Sequence, residues 1–174
     1  METQIANGIH VRWMIRIDLP MVLAIETECF DHPWREEDFI RCVRTRNCIG
    51  MVAIDVTADH GRGLVVGFMI YELHKNRLHL LNLAVNKRFR NQGVATAMID
   101  KLKSKLTPER RNRIMLEIRE ANLPGQLFFR NRGVRAISVL REFWDDNNED
   151  AYLMQYRVDG PAQRSHNDGM FLHG

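Results

Sequence analysis

The sequence predicts an α+β domain built on a central, mixed but mostly antiparallel sheet of about seven strands flanked by about four helices. Apolar strand-like runs joined by short turns alternate with amphipathic helix-like runs, and 174 residues with 45% apolar content make one domain. We expect that domain over residues 10–158. A flexible segment 1–9 would precede it, and a disordered tail 159–174, rich in Gly, His and polar residues, would follow.

The first strand and the first helix are predicted from a capping pattern. A strand covers about His10–Ile17, and Asp18 then offers an N-cap and Pro20 an early-turn residue for a helix. That helix carries an apolar stripe formed by Val22, Ile25 and Cys29. It ends at the loop Phe30–Trp34.

A second helix and an antiparallel meander follow. Negative charge at Glu36–Asp38 complements the dipole of a helix that runs to about Thr45. Turns at 59–63 and 75–76 separate three predicted strands, which cover about Ile49–Val56, Leu64–Leu73 and Leu78–Val85.

The second half completes the pattern. A helix over about Gly93–Leu106 is predicted to cover the sheet, because apolar residues recur at helical spacing: Val94, Met98, Leu102 and Leu106. The remaining elements are, in order, a strand over Ile114–Arg119, a loop at Asn122, a helix over about Pro124–Asn131 that ends at Gly133, and two strands around Val139 and Tyr152.

An anion-binding loop is predicted between the third meander strand and the helix that starts near Gly93. Residues 88–96 read Arg-Phe-Arg-Asn-Gln-Gly-Val-Ala-Thr. A strand that breaks into such a loop points unpaired N–H groups and the positive end of a helix dipole at one spot, where a pyrophosphate fits. The loop lacks the Gly-Lys-Ser/Thr end of a P-loop and the three spaced glycines of a dinucleotide fold.

The motif Arg90-x-x-Gly93-x-Ala95 resembles the acetyl-CoA motif Q/R-x-x-G-x-G/A of the GNAT superfamily of N-acetyltransferases. The resemblance spans about residues 10–158. Outside the loop it rests on the strands His79–Val85 and Ile114–Arg119, on Glu28–Trp34 with its Phe-x-x-Pro-Trp pattern, and on Glu149–Met154. Together these segments are similar to the RimI-type branch, the ribosomal-protein-alanine and other protein N-terminal acetyltransferases.

The resemblance implies the GNAT fold and acetyl-CoA as co-substrate, without a metal. It places the pantetheine arm against the main chain of Leu83, Ala84 and Val85, where the motif strand splays from its neighbour at a bulge. It places the phosphates on loop residues, namely Arg88, Arg90, Asn91, Gln92, Gly93, Val94, Ala95 and Thr96. Three buried sheet residues are the alternative for the strand positions, and both interpretations are compatible because the contacts are made by main chain.

Asn122 and Phe129 are the other two positions that the resemblance assigns to the cofactor. Asn122 matches a family asparagine that contacts the cofactor arm, yet Leu123-Pro124 after it makes it an equally good N-cap. Phe129 stands where the RimI-type pattern has a tyrosine that protonates the leaving thiolate. Phenylalanine has no proton to give, which leaves water or Tyr152 for that role, and Phe128-Phe129 could equally be two core aromatics.

Glu117 is the candidate general base, because it matches the family's catalytic glutamate on a strand that should be central, where an unpaired carboxylate would be costly. The alternative is a Glu that pairs with Arg119 or another cation. His79 is the second catalytic candidate, since imidazole suits a proton shuttle and several related enzymes carry His or Tyr there. We place it on one strand face with Leu81 and Leu83; a hydrogen-bonded structural role is the alternative.

The acceptor site is predicted from the Phe-x-x-Pro-Trp loop. Phe30, Pro33 and Trp34 would form one wall, an apolar slot for a small N-terminal residue such as Ala or Ser, and Tyr152 is assigned to the same site. The alternative is that Trp34 only staples the second helix onto the sheet.

The resulting hypothesis is transfer of an acetyl group from acetyl-CoA to a primary amine, most of all the N-terminal α-amine of a protein such as a ribosomal protein, in a ternary complex. Two alternatives stay open. The acceptor is a polyamine, an aminoglycoside or an amino acid, or the chain is a non-catalytic acyl-CoA-binding regulator that has lost its acid at Phe129. Monomer and homodimer are both compatible with the sequence.

Composition argues against other classes. The net charge of +3 is mild and the basic residues are spread along the chain, so no nucleic-acid partner is indicated. No run approaches ~20 apolar residues and no secretory leader is evident, so we expect a cytoplasmic protein with no membrane contact. Cys29, Cys42 and Cys48 are odd in number and lack C-x-x-C spacing, which argues against a zinc site and a disulfide framework.

Overall fold

The computed structural model describes residues 8–158, so the predicted N-terminal segment up to residue 7 and the predicted tail lie outside the described residues; Ile9 already begins a strand. The helices are α1 (Leu19–Cys29), α2 (Glu36–Arg44), α3 (Val94–Lys103) and α4 (Leu123–Arg130). The strands are β1 (Ile9–Trp13), β2 (Cys48–Asp55), β3 (Leu64–Leu73), β4 (Leu78–Val85), β5 (Arg113–Arg119), β6 (Arg135–Trp144) and β7 (Glu149–Arg157).

The described strands form one sheet in the order β1-β2-β3-β4-β5-β7-β6. β4 and β5 run parallel, and the other neighbouring pairs are antiparallel. Short turns suffice for the antiparallel meander, whereas the parallel pair needs a crossover, which α3 supplies. The mixed, mostly antiparallel sheet with its helices confirms the predicted fold class.

The helices cover both faces of the sheet and divide the core in two. The α3/α4 core buries Val94, Met98 and Leu102 of α3 to 1% exposure or less. The α1/α2 core, on the other face, buries Val22, Ile25 and Phe39 to the same extent. Among the described residues, no helix is long and apolar enough to cross a membrane.

The first strand ends earlier than the sequence predicts. β1 stops at Trp13 rather than Ile17, because the chain turns so that Asp18 reaches back to β1. The two carboxylate oxygens of Asp18 accept hydrogen bonds from the Arg12 guanidinium at 2.8 and 2.9 Å, and one of them also accepts the N–H of Ile15 at 2.8 Å. Asp18 is the N-cap residue of α1, as predicted, but its side chain makes no capping bond to the helix because both oxygens are bonded to Arg12 and Ile15.

The third helix is also shorter than predicted. It covers Val94–Lys103 instead of about Gly93–Leu106. The chain tightens at its end, because the N–H groups of Lys105 and Leu106 bond to carbonyls three residues back rather than four. Leu106 still packs against the α3/α4 core.

Cys42 at the end of α2 and Cys48 at the start of β2 form a disulfide. The expectation of no disulfide is therefore wrong for this pair. The chain turns back sharply between the two elements, with the N–H of Cys48 bonded to the carbonyl of Thr45. This turn leaves the two Cα atoms 5.6 Å apart, a distance that a disulfide spans. Cys29 is free.

The Arg12–Asp18 contact makes stability depend on pH. Burial alone would raise the pKa of Asp18, but the hydrogen bonds from Arg12 and from the N–H of Ile15 outweigh burial and hold that pKa below its usual value. The folded state thus binds the Asp18 proton less tightly than the unfolded chain. Its stabilisation is complete above the unfolded pKa of about 3.9 and is lost as the pH falls through the lower folded value.

We expect D18N to lower the free energy of unfolding at pH 7 by about 1–3 kcal/mol, because Arg12 and the N–H of Ile15 lose a charged acceptor. Solvent screening keeps the loss below that of a fully buried pair, since the Arg12 side chain is 34% exposed. Urea denaturation measures the difference, which should shrink as the pH is lowered from 7 to 3. D145N, in the exposed β6–β7 turn, is the control, and an equal loss at both pH values would contradict this origin.

Candidate active site

β4 and β5 diverge almost as soon as they pair. Their parallel ladder holds only at Leu78 opposite Ile114 and at His79 opposite Met115. From there to Val85, β4 has no strand partner on its β5 side within the described chain, although β3 continues to pair with its other edge. The sheet therefore opens into a cleft between β4 and β5, and the β4 side of this cleft has main-chain groups without a strand partner.

A β-bulge interrupts β4 where the two strands separate. Against β3, Leu80 lies opposite Tyr71 but Asn82 lies opposite Ile70, so Leu81 is the extra residue. The predicted bulge in the motif strand is thus present, and its position is Leu81.

The bulge reverses the alternation of side chains along β4. Before the bulge, Leu80 enters the α3/α4 core, so the neighbouring His79 lies on the opposite face. After the bulge, Ala84 enters the α1/α2 core and Leu83 packs against the α3/α4 core. His79 therefore shares a face with Leu81, as predicted, and with Ala84, whereas the predicted place of Leu83 on that face is wrong because the bulge turns it to the other side.

His79 and Glu117 form one hydrogen-bonded pair at the base of the cleft. His79 Nε2 lies 2.6 Å from Glu117 Oε2, and the two side chains are 22% and 18% exposed. The pair is therefore accessible to a ligand and still partly shielded from water. Arg119, the alternative partner of Glu117, instead contacts Asp146 and Glu149. A carboxylate joined to an imidazole in this way can accept a proton and pass it on.

The loop after β4 contains two exposed arginines that differ in their side-chain hydrogen bonds. Arg90 donates from Nε to the Val85 carbonyl at 3.3 Å and from a terminal nitrogen to Cys29 Sγ at 3.2 Å. Arg88 is exposed, and its side chain makes no hydrogen bond within residues 8–158, while its carbonyl accepts from Gln92 Nε2 at 3.0 Å. Of the two predicted phosphate-binding arginines, Arg88 is thus the one whose side chain has no hydrogen bond within the described residues.

α3 begins with an open group of N–H donors. Gly93 is the N-cap residue with a φ of 83°, and Asn91 before it also has a positive φ of 60°. The first helical bond is donated by Ala97 to the Gly93 carbonyl, so the preceding N–H groups have no helical acceptor: Val94, Ala95 and Thr96. Together with the helix dipole they form the kind of site that phosphate oxygens occupy.

Arg132, in the turn after α4, is a residue that the sequence reasoning missed. It donates to the Phe128 carbonyl at 3.3 Å and to Thr96 Oγ1, and its guanidinium carbon lies 4.1 Å from the centre of the Phe128 ring. A cation beside the first turn of α3 reinforces the positive helix end for an anion. Its sequence signal is weak, because Arg132 lies 36 residues from Thr96 and belongs to no motif.

Asn122 and Phe129 both have structural roles. Asn122 Oδ1 accepts the N–H of Gly125 at 3.0 Å and so caps α4, while its Nδ2 makes no hydrogen bond within the described chain. Phe129 is 7% exposed in the α3/α4 core, and the Phe128 ring packs 5.1 Å from it, centroid to centroid. Position 129 therefore fills the core and offers no proton donor.

The loop between α1 and α2 packs against the α1/α2 core. Phe30 and Trp34 contact that core, the Trp34 ring lies 5.4 Å from the Phe39 ring, and Pro33 is exposed. Glu26, absent from the sequence prediction, accepts the N–H of Trp34 at 2.8 Å. Its only signal in the sequence is a carboxylate beside the apolar stripe of α1.

Tyr152 lies on the sheet face opposite to Glu117. On β7, Tyr152 pairs with Ile118 of β5, whereas Leu153 pairs with Glu117. Tyr152 lines a cavity of about 360 Å³ that also contacts Leu127 of α4. The structure therefore does not bring the predicted acceptor residue Tyr152 into the cleft with Glu117.

A second group of polar side chains shares His79. Glu72, His74 and His79 each bring one potential metal-ligand atom within 4.8 Å of the others, and His74 Nε2 lies 3.0 Å from Glu72 Oε2. Two imidazoles and a carboxylate suit a transition metal. Because His79 Nε2 already contacts Glu117, and acetyl transfer needs no metal, we assign no ion to this group.

Comparison with known proteins agrees with this geometry. A model of the acetyltransferase (GNAT) family matches residues 19–134. An uncharacterized N-acetyltransferase of Methanocaldococcus jannaschii is 30% identical over 139 residues, which cover 79% of this chain and 84% of the relative. The ribosomal protein bS18-alanine N-acetyltransferase of Escherichia coli K12 is 24% identical over 139 residues, which cover 79% of this chain and 89% of that enzyme.

The fold also occurs in a solved structure, that of Arabidopsis thaliana NAA60 in complex with acetyl-CoA. The TM-score is 0.74 at 20% identity, with 86% of this chain and 99% of that chain covered. The likeness confirms the predicted fold, and the predicted similarity to the RimI branch is confirmed by the E. coli relative. Because the family match spans more than half of the chain, this protein belongs to the GNAT family and is an acetyl-CoA-dependent N-acetyltransferase.

Proposed function

We propose that the acceptor is the N-terminal α-amine of a protein, with a ribosomal protein as the foremost candidate. The observation that carries the proposal is the 2.6 Å contact between His79 and Glu117 at the base of an open cleft. Acetylation of an α-amine requires a base at such a place, because most of the amine is protonated at neutral pH. The name of the E. coli relative, which specifies the alanine of ribosomal protein bS18, supports the acceptor class.

In this proposal Glu117 is the general base and His79 is its relay. The acceptor ammonium loses a proton to the pair, and the freed lone pair attacks the carbonyl carbon of the thioester. A C–N bond forms, the nitrogen of the tetrahedral intermediate gives its second proton to solvent, and the C–S bond breaks to release CoA as a thiolate. Partial burial of both side chains keeps water from competing fully for the hydrogen bond between them.

The cofactor contacts follow from the free donors around the cleft. The pantetheine arm pairs with main chain of the splayed part of β4, Leu83–Val85, and one of its N–H groups polarises the thioester carbonyl. The phosphates lie on the N–H groups at the start of α3 and beside Arg88, with Arg132 as a further cation. Asn122 contributes its Nδ2 to the arm while its Oδ1 continues to cap α4.

The leaving group is assisted by solvent. Phe129 has no hydroxyl, and Tyr152 lies on the other sheet face, so the CoA thiolate takes its proton from water. A thiolate is a stable leaving group compared with an alkoxide, so the reaction proceeds without a protein acid, at a lower rate.

The acceptor slot is bounded by the α1–α2 loop. Phe30 and Trp34 are held by the α1/α2 core, and Pro33 adds a rigid turn between them. This wall is on the same side of the sheet as His79, because Ala84 of β4 belongs to the same core. A short apolar N-terminal residue fits such a wall.

We expect E117Q to lower the acetylation rate by at least ~100-fold, the usual minimum for a positioned acid or base. Glutamine keeps the shape and a hydrogen bond to His79 but takes up no proton. Steady-state thiol release measures the loss, and E120Q at the exposed end of β5 is the matched control. Near-normal turnover of E117Q would transfer the role to His79 or to solvent.

R88A should raise the KM for acetyl-CoA several-fold with little change in kcat, because Arg88 would contact phosphates far from the reacting bond. The increase should diminish at high salt, since the exposed charge is screened. K75A, in the exposed β3–β4 turn, controls for a general loss of positive charge. If R88A and K75A behave alike, Arg88 is not a phosphate ligand.

The acceptor is tested by thiol release from acetyl-CoA on peptides with free Ala, Ser, Gly or Met N-termini, beside spermidine and an aminoglycoside. We expect release with the Ala and Ser peptides and none with their N-acetylated forms. Release with the small amines alone would establish another acceptor class. If no acceptor gives thiol release although calorimetry shows that acetyl-CoA binds, the result would favour a non-catalytic acyl-CoA-binding protein.

A further inference from the structure

Glu26 on α1 is a buried carboxylate that the proposed chemistry does not use. It is 1% exposed, and none of the ion pairs within residues 8–158 includes it. Burial raises its pKa, although hydrogen bonds from the N–H of Trp34 and from Asn82 oppose that rise. Burial of a carboxylate without a cation destabilises the folded state, and an apolar residue of the same size would not carry this desolvation penalty. The hydrogen bonds of Glu26 therefore indicate its role.

The two oxygens of Glu26 connect the two walls of the acceptor site. Oε1 accepts the N–H of Trp34 at 2.8 Å, in the α1–α2 loop. Oε2 accepts from Asn82 Nδ2 at 3.0 Å, on β4 directly after the bulged Leu81. Asn82 lies on the same sheet face as His79, because the bulge reverses the alternation between them. One carboxylate thus joins the acceptor loop to the strand that carries the proposed proton relay.

Within the α1–α2 loop, Glu26 contacts only the main chain of Trp34 among the described hydrogen bonds. The Trp34 ring is held separately by Phe39, at 5.4 Å between ring centroids. The start of α2 is held by its own bond, from the N–H of Arg35 to Asp38 Oδ2 at 2.9 Å. Removal of the Glu26 oxygens would therefore release the loop main chain at Trp34 and leave the surrounding packing in place.

We propose that Glu26 is a positioning residue that sets the distance between the acceptor wall at Trp34 and the catalytic face of β4, and so determines affinity for the acceptor. This inference rests on the proposed function, since it assumes that the α1–α2 loop binds the acceptor. Glu26 acts through Trp34 and Asn82 and touches neither substrate. Its effect should fall on the acceptor and not on acetyl-CoA, because the described contacts of Glu26 do not reach the α3 end of the cleft.

The test uses E26M, which keeps the volume of the side chain and removes both acceptors. We expect the KM for an acceptor peptide with a free N-terminus to rise roughly tenfold or more, the effect of losing a buried hydrogen bond to a charged group, with the KM for acetyl-CoA unchanged. Hydrogen exchange at the Trp34 amide should accelerate. E28M, on the exposed side of the same helix, is the control and should leave both KM values and the exchange rate unchanged.

Rescue separates positioning from packing. N82D places two carboxylates against each other and should resemble E26M, whereas the double variant E26Q/N82D restores a single amide–carboxylate bond and should recover both the peptide KM and the Trp34 protection. Unchanged peptide KM and exchange in E26M would overturn the inference, as would equal increases in both KM values. The exchange experiment needs no turnover, so loss of Trp34 protection in E26M without any acetylation by the wild type would indicate that only the proposed acceptor is wrong.

Discussion

The site depends on one place where the sheet does not close: β4 pairs with β5 at two positions and then leaves it. Main-chain donors and acceptors that a closed ladder would consume are thereby released toward the cleft. The bulge at Leu81 accompanies this separation and turns the following residues over. Without the bulge, Asn82 would lie on the α3/α4 side of the sheet and could not reach Glu26.

The regular parts of this fold follow from the sequence, and the irregular parts do not. β3 and β4 have the predicted bounds because apolar runs between turn residues are local patterns. The early end of β1 follows from a contact between Arg12 and Asp18, and the disulfide follows from the turn that brings α2 back to β2. Both depend on the path of the chain in space. The bulge has no local signal in the sequence either, since Leu81 is the same residue type as Leu80 before it.

The same distinction applies to the candidate site. Resemblance indicated Glu117 and His79 separately, but their contact joins residues 38 apart in sequence, and the alternative pairing with Arg119 was equally compatible with the pattern. The sequence does not predict roles for Glu26 and Arg132, because these roles depend on contacts with residues distant in sequence. The contacts are with Trp34 and Asn82 for Glu26 and with Thr96 for Arg132. The N-cap role of Asn122, by contrast, follows from the local sequence, because Asn122 is followed directly by Leu123-Pro124 and its side chain accepts the N–H of Gly125.

In the proposed arrangement, cofactor and acceptor are recognised by different parts of the chain, and the two parts depend on sequence to different extents. Main chain from β4 and the first turn of α3 would hold the cofactor, so we expect this half of the site to tolerate changes of side chain as long as the backbone keeps its path. The acceptor half relies on side chains such as Trp34 and on their supports. Phe129 belongs to neither half, because its ring fills the α3/α4 core. In the proposed mechanism a base without a partner acid suffices because a thiolate leaves readily, which ties the arrangement to thioester donors.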